Sequence, residues 1–280
     1  MDLRRLKTIF IFVLIAINIM LVIVLNSAKS YEREEKKVMI ENLSGVLAKS
    51  MIYLPLELEV PETPDIYNFY IEKMFGSGRE MVAKFLGEKY EKNNDGEYIS
   101  STGRLFVDGD EFKYFNYNPS GKVTDFSQEN IEKLCRKEMD SLGIMPDVYQ
   151  FNGLNFVEDG TRAIFTVKHD DAEFFDAYIS FDLSENGIFS VAGKNLISDF
   201  SVSGGTVPYF SVVSVLADIT KSEKLEKNRA HTIVSIRPGY YIGKGEESYR
   251  NILAIPVWQV ATDTGVIIHY DARNGQEVIE

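Results

Sequence analysis

The sequence predicts an α+β fold carried behind an N-terminal membrane helix. Three observations predict it. An apolar run, Ile9 to Leu25, is broken only by Asn18 and follows Arg4, Arg5 and Lys7. Three segments with helical apolar spacing are each followed by short alternating segments of strand type. Turn pairs such as Asp108-Gly109 and Asn186-Gly187 separate neighbouring alternating runs, as antiparallel hairpins require.

The apolar run comes first. Extended to Ala28 it has the length of about 20 helical residues that a bilayer core of about 30 Å demands. Basic residues on its N-terminal side favour a cytoplasmic N-terminus, so the chain from about Lys29 onward is expected outside. A cleaved leader is the rival reading. Its best cleavage site is Asn26-Ser27-Ala28, where Asn suits the −3 position poorly, and the apolar run exceeds the roughly 7–15 residues of a signal core. No Cys directly follows the run, so a lipoprotein anchor is excluded. The reading is an uncleaved, single-pass anchor, residues 1–28.

Two outside parts are expected, 29–122 with a stalk and 123–280. The segment Tyr31–Ile52 is helical in pattern, with Met39, Leu43, Val46 and Leu47 on one face. Pro55, Pro61 and Pro64 end it. A second helix is expected between Ile66 and Tyr90, broken at Gly76-Ser77-Gly78. Strands follow at 97–101, 104–108 and 112–117, the last two joined at Asp108-Gly109. A third helix runs from Gln128 to Leu142, with Ser127 as N-cap and Gly143 as stop. Strand 163–169 precedes a hairpin of 174–183 and 188–197. Ser203-Gly204-Gly205 reads as a loop, and Pro208 as the first residue of a helix ending at Ile219. Strands 230–242, 252–261 and 265–271 lead to an Asn274-Gly275 turn and a last strand at 277–279. Helices thus alternate with antiparallel sheets, each sheet covered by helices on one face.

Composition narrows the function. The chain of 280 residues carries net charge −12; the segment to Lys29 holds four of 30 basic residues and one of 42 acidic ones, leaving 26 against 41 outside. That balance excludes a nucleic-acid binder, which needs basic patches to displace counterions. Eighteen Phe and 15 Tyr supply a large core. A single Cys, Cys135, makes no internal disulfide and reads as a small buried residue of the third helix.

Catalytic and metal motifs are missing from the sequence. There is no Gly-x-Ser-x-Gly, His-Glu-x-x-His or Ser-x-x-Lys. His169, His231 and His269 lack metal-ligand spacing, and His169-Asp170-Asp171 reads as a surface turn. Gly76-Ser77-Gly78-Arg79 and Gly243-Lys244-Gly245 are Gly turns without the downstream Lys-Ser/Thr of a phosphate loop. Trp258 reads as a core residue of an alternating strand. The chain is therefore read as a non-enzyme without cofactor or metal. Asn18 is the polar residue of the apolar run; in lipid its amide seeks an interhelical hydrogen bond contributing about 0.5–2 kcal/mol. Helical spacing puts Ile11, Leu14, Ile15, Leu21, Val22 and Leu25 on its face, the expected partner-binding surface.

Residues at both ends carry a family resemblance. Lys7-Thr8-Ile9-Phe10-Ile11 with Asn18 inside the apolar run resembles the opening of YycI (WalI) proteins. Gly239-Tyr240-Tyr241-Ile242, Ile255-Pro256-Val257-Trp258-Gln259-Val260, Tyr270-Asp271-Ala272 and Asn274-Gly275-Gln276-Glu277 resemble the same family and the wider group of PepSY domains. Gln276 departs from a tight Gly-Glu ending. The resemblance implies PepSY-like units on a single-pass cell-membrane protein with its C-terminal domain extracellular. It implies a regulator of the two-component system controlling cell-wall metabolism, bound to the sensor histidine kinase and to a sister protein, YycH, through the transmembrane helix and the outside domain. The alternatives are a secreted or anchored PepSY-like ligand-binding or protease-inhibitor module, and a cell-wall enzyme.

Overall fold

The computed structural model describes residues 3–55, 57–58, 61, 67–119, 121–157, 159–169, 172–206, 210–243 and 251–279. Helices are α1 (Leu3–Leu47), α2 (Gly78–Leu86), α3 (Gln128–Leu142) and α4 (Val212–Asp218). The strands begin with β1 (Ile52–Tyr53), β2 (Tyr67–Lys73), β3 (Glu91–Lys92), β4 (Tyr98–Ile99), β5 (Gly103–Asp108) and β6 (Glu111–Asn116). They continue with β7 (Tyr149–Val157), β8 (Gly160–His169), β9 (Ala172–Ser184), β10 (Gly187–Lys194) and β11 (Ile197–Thr206). The last are β12 (His231–Tyr241), β13 (Asn251–Leu253), β14 (Ile255–Thr262) and β15 (Ile267–Asp271). The protein is thus mixed α+β, dominated by sheet, with few helices.

Two compact units share the chain. The first comprises Met1–Leu58, Val212–Val234 and Thr262–Val266. Here α1 runs unbroken through the apolar run and the expected stalk, 45 residues in all. Its last turns pack on α4, burying Leu47 against the level of Val212, Val215 and Leu216. A 3-10 turn, Ala48–Ser50, then reverses the chain through Met51, which adopts φ 60°. β1 pairs in parallel with the first residues of β12, Ile52 opposite His231 and Tyr53 opposite Thr232. The Thr262–Val266 turn closes this unit: the backbone N–H of Asp263 donates to Thr232 O, and its carboxylate accepts from the Thr232 N–H.

The second unit comprises Glu59–Ser211, Ser235–Ala261 and Ile267–Glu280. Its large sheet has the order β15-β14-β12-β9-β10-β6-β5-β4-β3, and β8 followed by β7 extends from the other edge of β9. One face is packed by α2 and α3. Ile131, Cys135 and Met139 of α3 are buried, and Arg136 lies over the Phe165 ring. Phe85 of α2 meets Phe112 and Tyr114. A three-stranded sheet, β11-β2-β13, packs through Phe69, whose ring meets Phe174, Tyr240, Phe200 and His169.

The other face of the large sheet carries the alternate residues. One row crosses the strands as Arg162, Asp182, Ser190, Phe115 and Arg104. The next row runs Ile164, Ser180, Ala192, Lys113 and Phe106. A third holds Thr166, Tyr178, Lys194 and Glu111. Lys113 and Phe106 are exposed.

Several expectations need correction. The helix expected over 66–90 is strand β2 followed by a short α2, because Phe69, Ile71 and Lys73 point inward with period two and β11 supplies the hydrogen bonds. Ser203-Gly204-Gly205 lies within β11 rather than a loop. Pro208 lies outside the described residues, and the helix there starts at Val212. Asp170 and Asp171 lie outside them too. The expected antiparallel pairing holds for most neighbours, but β12 runs parallel to β9 and to β1. Ser127 occupies the N-cap position, yet its side chain donates to Asp125 instead of capping. Gly143 stops α3 at φ 72°, and the hairpin turns at Asp108-Gly109 and Asn186-Gly187 form where expected.

Tyr149 offers a clean test of this packing. It is fully buried, and its hydroxyl accepts the Ile197 N–H at 2.9 Å. Tyr149→Phe keeps the ring and orphans that N–H, so a loss of about 1–3 kcal/mol is expected in chemical denaturation; an unchanged midpoint and slope would mean the bond does not anchor β11.

Candidate functional site

The predicted partner face belongs to α1. Along the apolar run every described large side chain is exposed, from 44% at Leu14 to 67% at Met20. Ile11, Leu14, Ile15, Leu21, Val22 and Leu25 are all in this set, and Asn18 is exposed beside them. The Asn18 Nδ2 donates to Leu14 O at 2.9 Å, one turn back. That bond uses one of the amide's two N–H groups and leaves its carbonyl oxygen to accept. Among the described residues no helical window is long and apolar enough to cross a membrane. The side chains at 1–9, 12, 16 and 28–30 lie outside the described residues.

Phase links this face to the first unit. At 100° per residue, Asn18 stands within about 20° of Leu43 and Leu47 around the axis. Leu47 is the buried residue through which α1 meets its own unit. The Asn18 face therefore lies on the side of α1 that carries α4.

A second polar centre, in the second unit, was not visible in the sequence. Asp176 of β9 is buried. Its carboxylate accepts the N–H groups of Ile242 at 2.8 Å and Gly243 at 3.0 Å, and the Asn195 Nδ2 at 2.9 Å. Asn195 also donates to Asp176 O, and holds a positive φ of 47°. Its Oδ1 is buried with no hydrogen-bond partner among the described residues. Burial pushes the Asp176 carboxyl up to about 6, against the lowering pull of the Ile242 and Gly243 N–H groups and of Lys194. All its close partners are donors, so the centre clamps the end of β12 to β9 and offers a cation no free oxygen pair.

The remaining candidates take structural roles. Among the described residues no cluster of His, Cys, Asp and Glu is arranged to hold a metal ion. His169 stacks edge-on against Phe69 and Phe200. His231 bonds Thr264 Oγ1 at 2.8 Å. His269 meets the Gln259 amide at 3.1 Å. Trp258 is fully buried, with its indole N–H donating to Phe210 O. Cys135 is buried and burial raises its thiol pKa, which makes it a poor nucleophile. Gly76-Ser77-Gly78 forms the cap of α2: Ser77 Oγ accepts from the Glu80 N–H, and Glu80 accepts from the Gly76 N–H.

No family model matches the chain, and no curated protein matches it. Among solved structures, it is similar to an uncharacterized protein from Eubacterium rectale ATCC 33656, with 14% identity, 82% of this chain and 91% of that one covered, and a TM-score of 0.47. It is similar also to the Bacillus megaterium YpeB C-terminal domain, with 10% identity, 71% and 92% covered, and a TM-score of 0.34. Likeness at this level is weak and carries no functional conclusion.

Asp176 makes a pH prediction. Its folded-state pKa of about 6 lies above the ordinary value of 3.8. Between these values the folded chain keeps a proton that the unfolded chain has released, so the group's stabilising share is present below about pH 4 and is lost as pH rises through 6. Asp176→Asn removes that titration. The stability of wild type minus that of the variant, read by denaturation at stepped pH, is expected to rise from pH 7 to pH 4; a constant or falling difference would contradict the raised pKa.

Proposed function

We propose that this protein is a single-pass membrane regulator of the YycI type. Its N-terminus lies in the cytoplasm and its sheet-rich part outside the cell. The anchor helix binds a sensor histidine kinase and a YycH-like sister protein, and the complex modulates two-component signalling in cell-wall metabolism. The PepSY-like reading of the outside part belongs to the same proposal. The observation that carries it is α1: its apolar run, continuous in the sequence, is helical throughout and exposes every described large side chain. Such a surface is unfavourable in water and is suited to lipid and to partner helices.

Regulation requires differential binding. The helix shifts the kinase only if it binds one of the kinase's states more tightly than another. Asn18 is suited to this, because an amide hydrogen bond in lipid depends on the rotation and depth of the facing helix.

Crosslinking pull-down from native membranes tests the reading. Wild type is expected to recover a histidine kinase and a second single-pass protein. Asn18→Leu is expected to lower that recovery several-fold, for a lost bond of about 0.5–2 kcal/mol, with the outside part still folded by circular dichroism. Equal recovery by both chains would remove Asn18 from the contact. Recovery of neither partner, with the chain free outside the membrane, would instead favour the secreted binding module.

A further inference from the structure

Four polar side chains form a chain across one face of β9, β12, β14 and β15. The Glu173 carboxylate accepts from Arg237 Nη1 at 3.2 Å. Arg237 Nη2 donates to Gln259 Oε1 at 2.6 Å. Gln259 Nε2 meets His269 Nε2 at 3.1 Å, and these two residues are direct cross-strand partners. Gln259 and His269 are each only 6% exposed. The Phe175 ring closes the network: it stacks on His269 with ring centres 5.6 Å apart and takes the Arg237 guanidinium over its face at 5.3 Å. Gly239 makes room for that ring, because a Cβ there would stand 2.5 Å from it.

Every role in the chain is fixed from the arginine end. A guanidinium only donates, so Gln259 presents its oxygen to Arg237. Its amide nitrogen then points at His269 as a donor. His269 Nε2 therefore accepts, and the ring is neutral with its proton on Nδ1. A proton added at Nε2 would set two donors against each other. Gln259 cannot turn over to receive it, since its N–H groups would then face Arg237. No described neighbour offers Nε2 a free carboxylate either. Glu173 on β9 is taken by Arg237, and Asp271 on β15 is held by Arg273 at 2.6 Å. From β12 come Arg237, a positive charge, and the Tyr241 ring at 5.2 Å. On β14 the residues two positions either side of Gln259 are uncharged, Val257 and Ala261. The C-terminal segment sets uncharged Gln276 and Val278 against β15: the Val278 N–H donates to His269 O, and the Asp271 N–H donates to Gln276 O.

We propose that His269 is an acid-sensitive latch on the edge of the large sheet. Neutral, it ties β15 through Gln259 and Arg237 to β12 and β9. Protonated, it loses that tie, and β15 loosens from β14 together with the C-terminal segment. The latched form binds fewer protons than the released one, so release is favoured as pH falls through the ordinary histidine range, about 6.5. The sign is opposite to that of Asp176, which keeps the two effects separable. The latch lies within the second unit and does not depend on the membrane reading.

The test uses the full chain in detergent micelles, with its three histidines labelled with nitrogen-15. The His269 signals are those missing from His269→Asn. At pH 7.5 they are expected to show the neutral ring with the proton on Nδ1. Hydrogen exchange over residues 265–279, corrected for the intrinsic pH dependence, is expected to quicken at least tenfold between pH 7.5 and pH 5. His269→Asn is expected to abolish that change. Gln259→Glu gives both Arg237 and a protonated His269 an acceptor, so its His269 is expected to be cationic at pH 7.5 and its exchange flat across the range. If His269→Asn does not fold, wild type and Gln259→Glu decide the matter, the signals then being assigned by their response to Gln259→Glu. A wild-type His269 with its proton on Nε2 at pH 7.5 would overturn the proposal. So would a His269 that becomes cationic by pH 5 while exchange over 265–279 stays unchanged.

Discussion

Strand β9 is the element on which the second unit depends. It is 13 residues long and is hydrogen-bonded along one edge to β8 and along the other to β12 and then β10. Phe174, Ala177, Ile179, Phe181 and Leu183 are all buried, so the strand anchors the packed face while it serves three neighbours. At the point where its second edge passes from β12 to β10, Asp176 supplies what no strand can. Its carboxylate takes the two N–H groups that β12 presents as it leaves the sheet, and Asn195 fixes the exit of β10 to the same residue. A branched sheet needs such a junction, because the N–H groups there have no ladder partner and would otherwise be buried unmet.

How much of this was legible in the sequence follows from the range of the interaction concerned. Hairpins were legible, since Asp108-Gly109 and Asn186-Gly187 encode their turns locally. Helix α3 was legible from its apolar spacing and from Gly143. The segment 67–73 was not: Phe69, Tyr70 and Ile71 with Met74 satisfy a helical pattern as well as an alternating one, and only the distant β11 decides between them. Strand β7 was missed because Asn152-Gly153 resembles a turn, whereas Gly153 sits at a bulge in the pairing with β8. The parallel contact of β12 with β9 joins residues more than 60 positions apart, and no local signal announces it.

The polar features divide in the same way. Asn18 was conspicuous because its neighbours are uniformly apolar. Asp176 and Asn195 were hidden among 42 acidic residues and many Asn, and their role comes from burial, which no composition reveals. The open sheet face is intermediate. Alternation predicts that Arg162, Ser180 and Lys113 point away from the core, but only the register across four strands makes them neighbours.

The geometry of α1 constrains any partner that reads Asn18. The amide already gives one N–H to Leu14 O, which satisfies part of it at no cost to a neighbour and keeps it in place in the free helix. What remains, one N–H and the carbonyl, is self-sufficient in no other way if the run lies in lipid, where water does not compete. A partner helix meeting these groups would stand on the side of α1 that, 29 residues on, buries Leu47 where α1 packs on α4. The continuation of such a helix outside the membrane would run up beneath the first unit. If a partner rotates α1, the packing of its last turns on α4 would be loaded, because one continuous helix carries both. The unbroken hydrogen-bonded course of α1, without proline or a glycine before Gly45, is what would make that transmission mechanical.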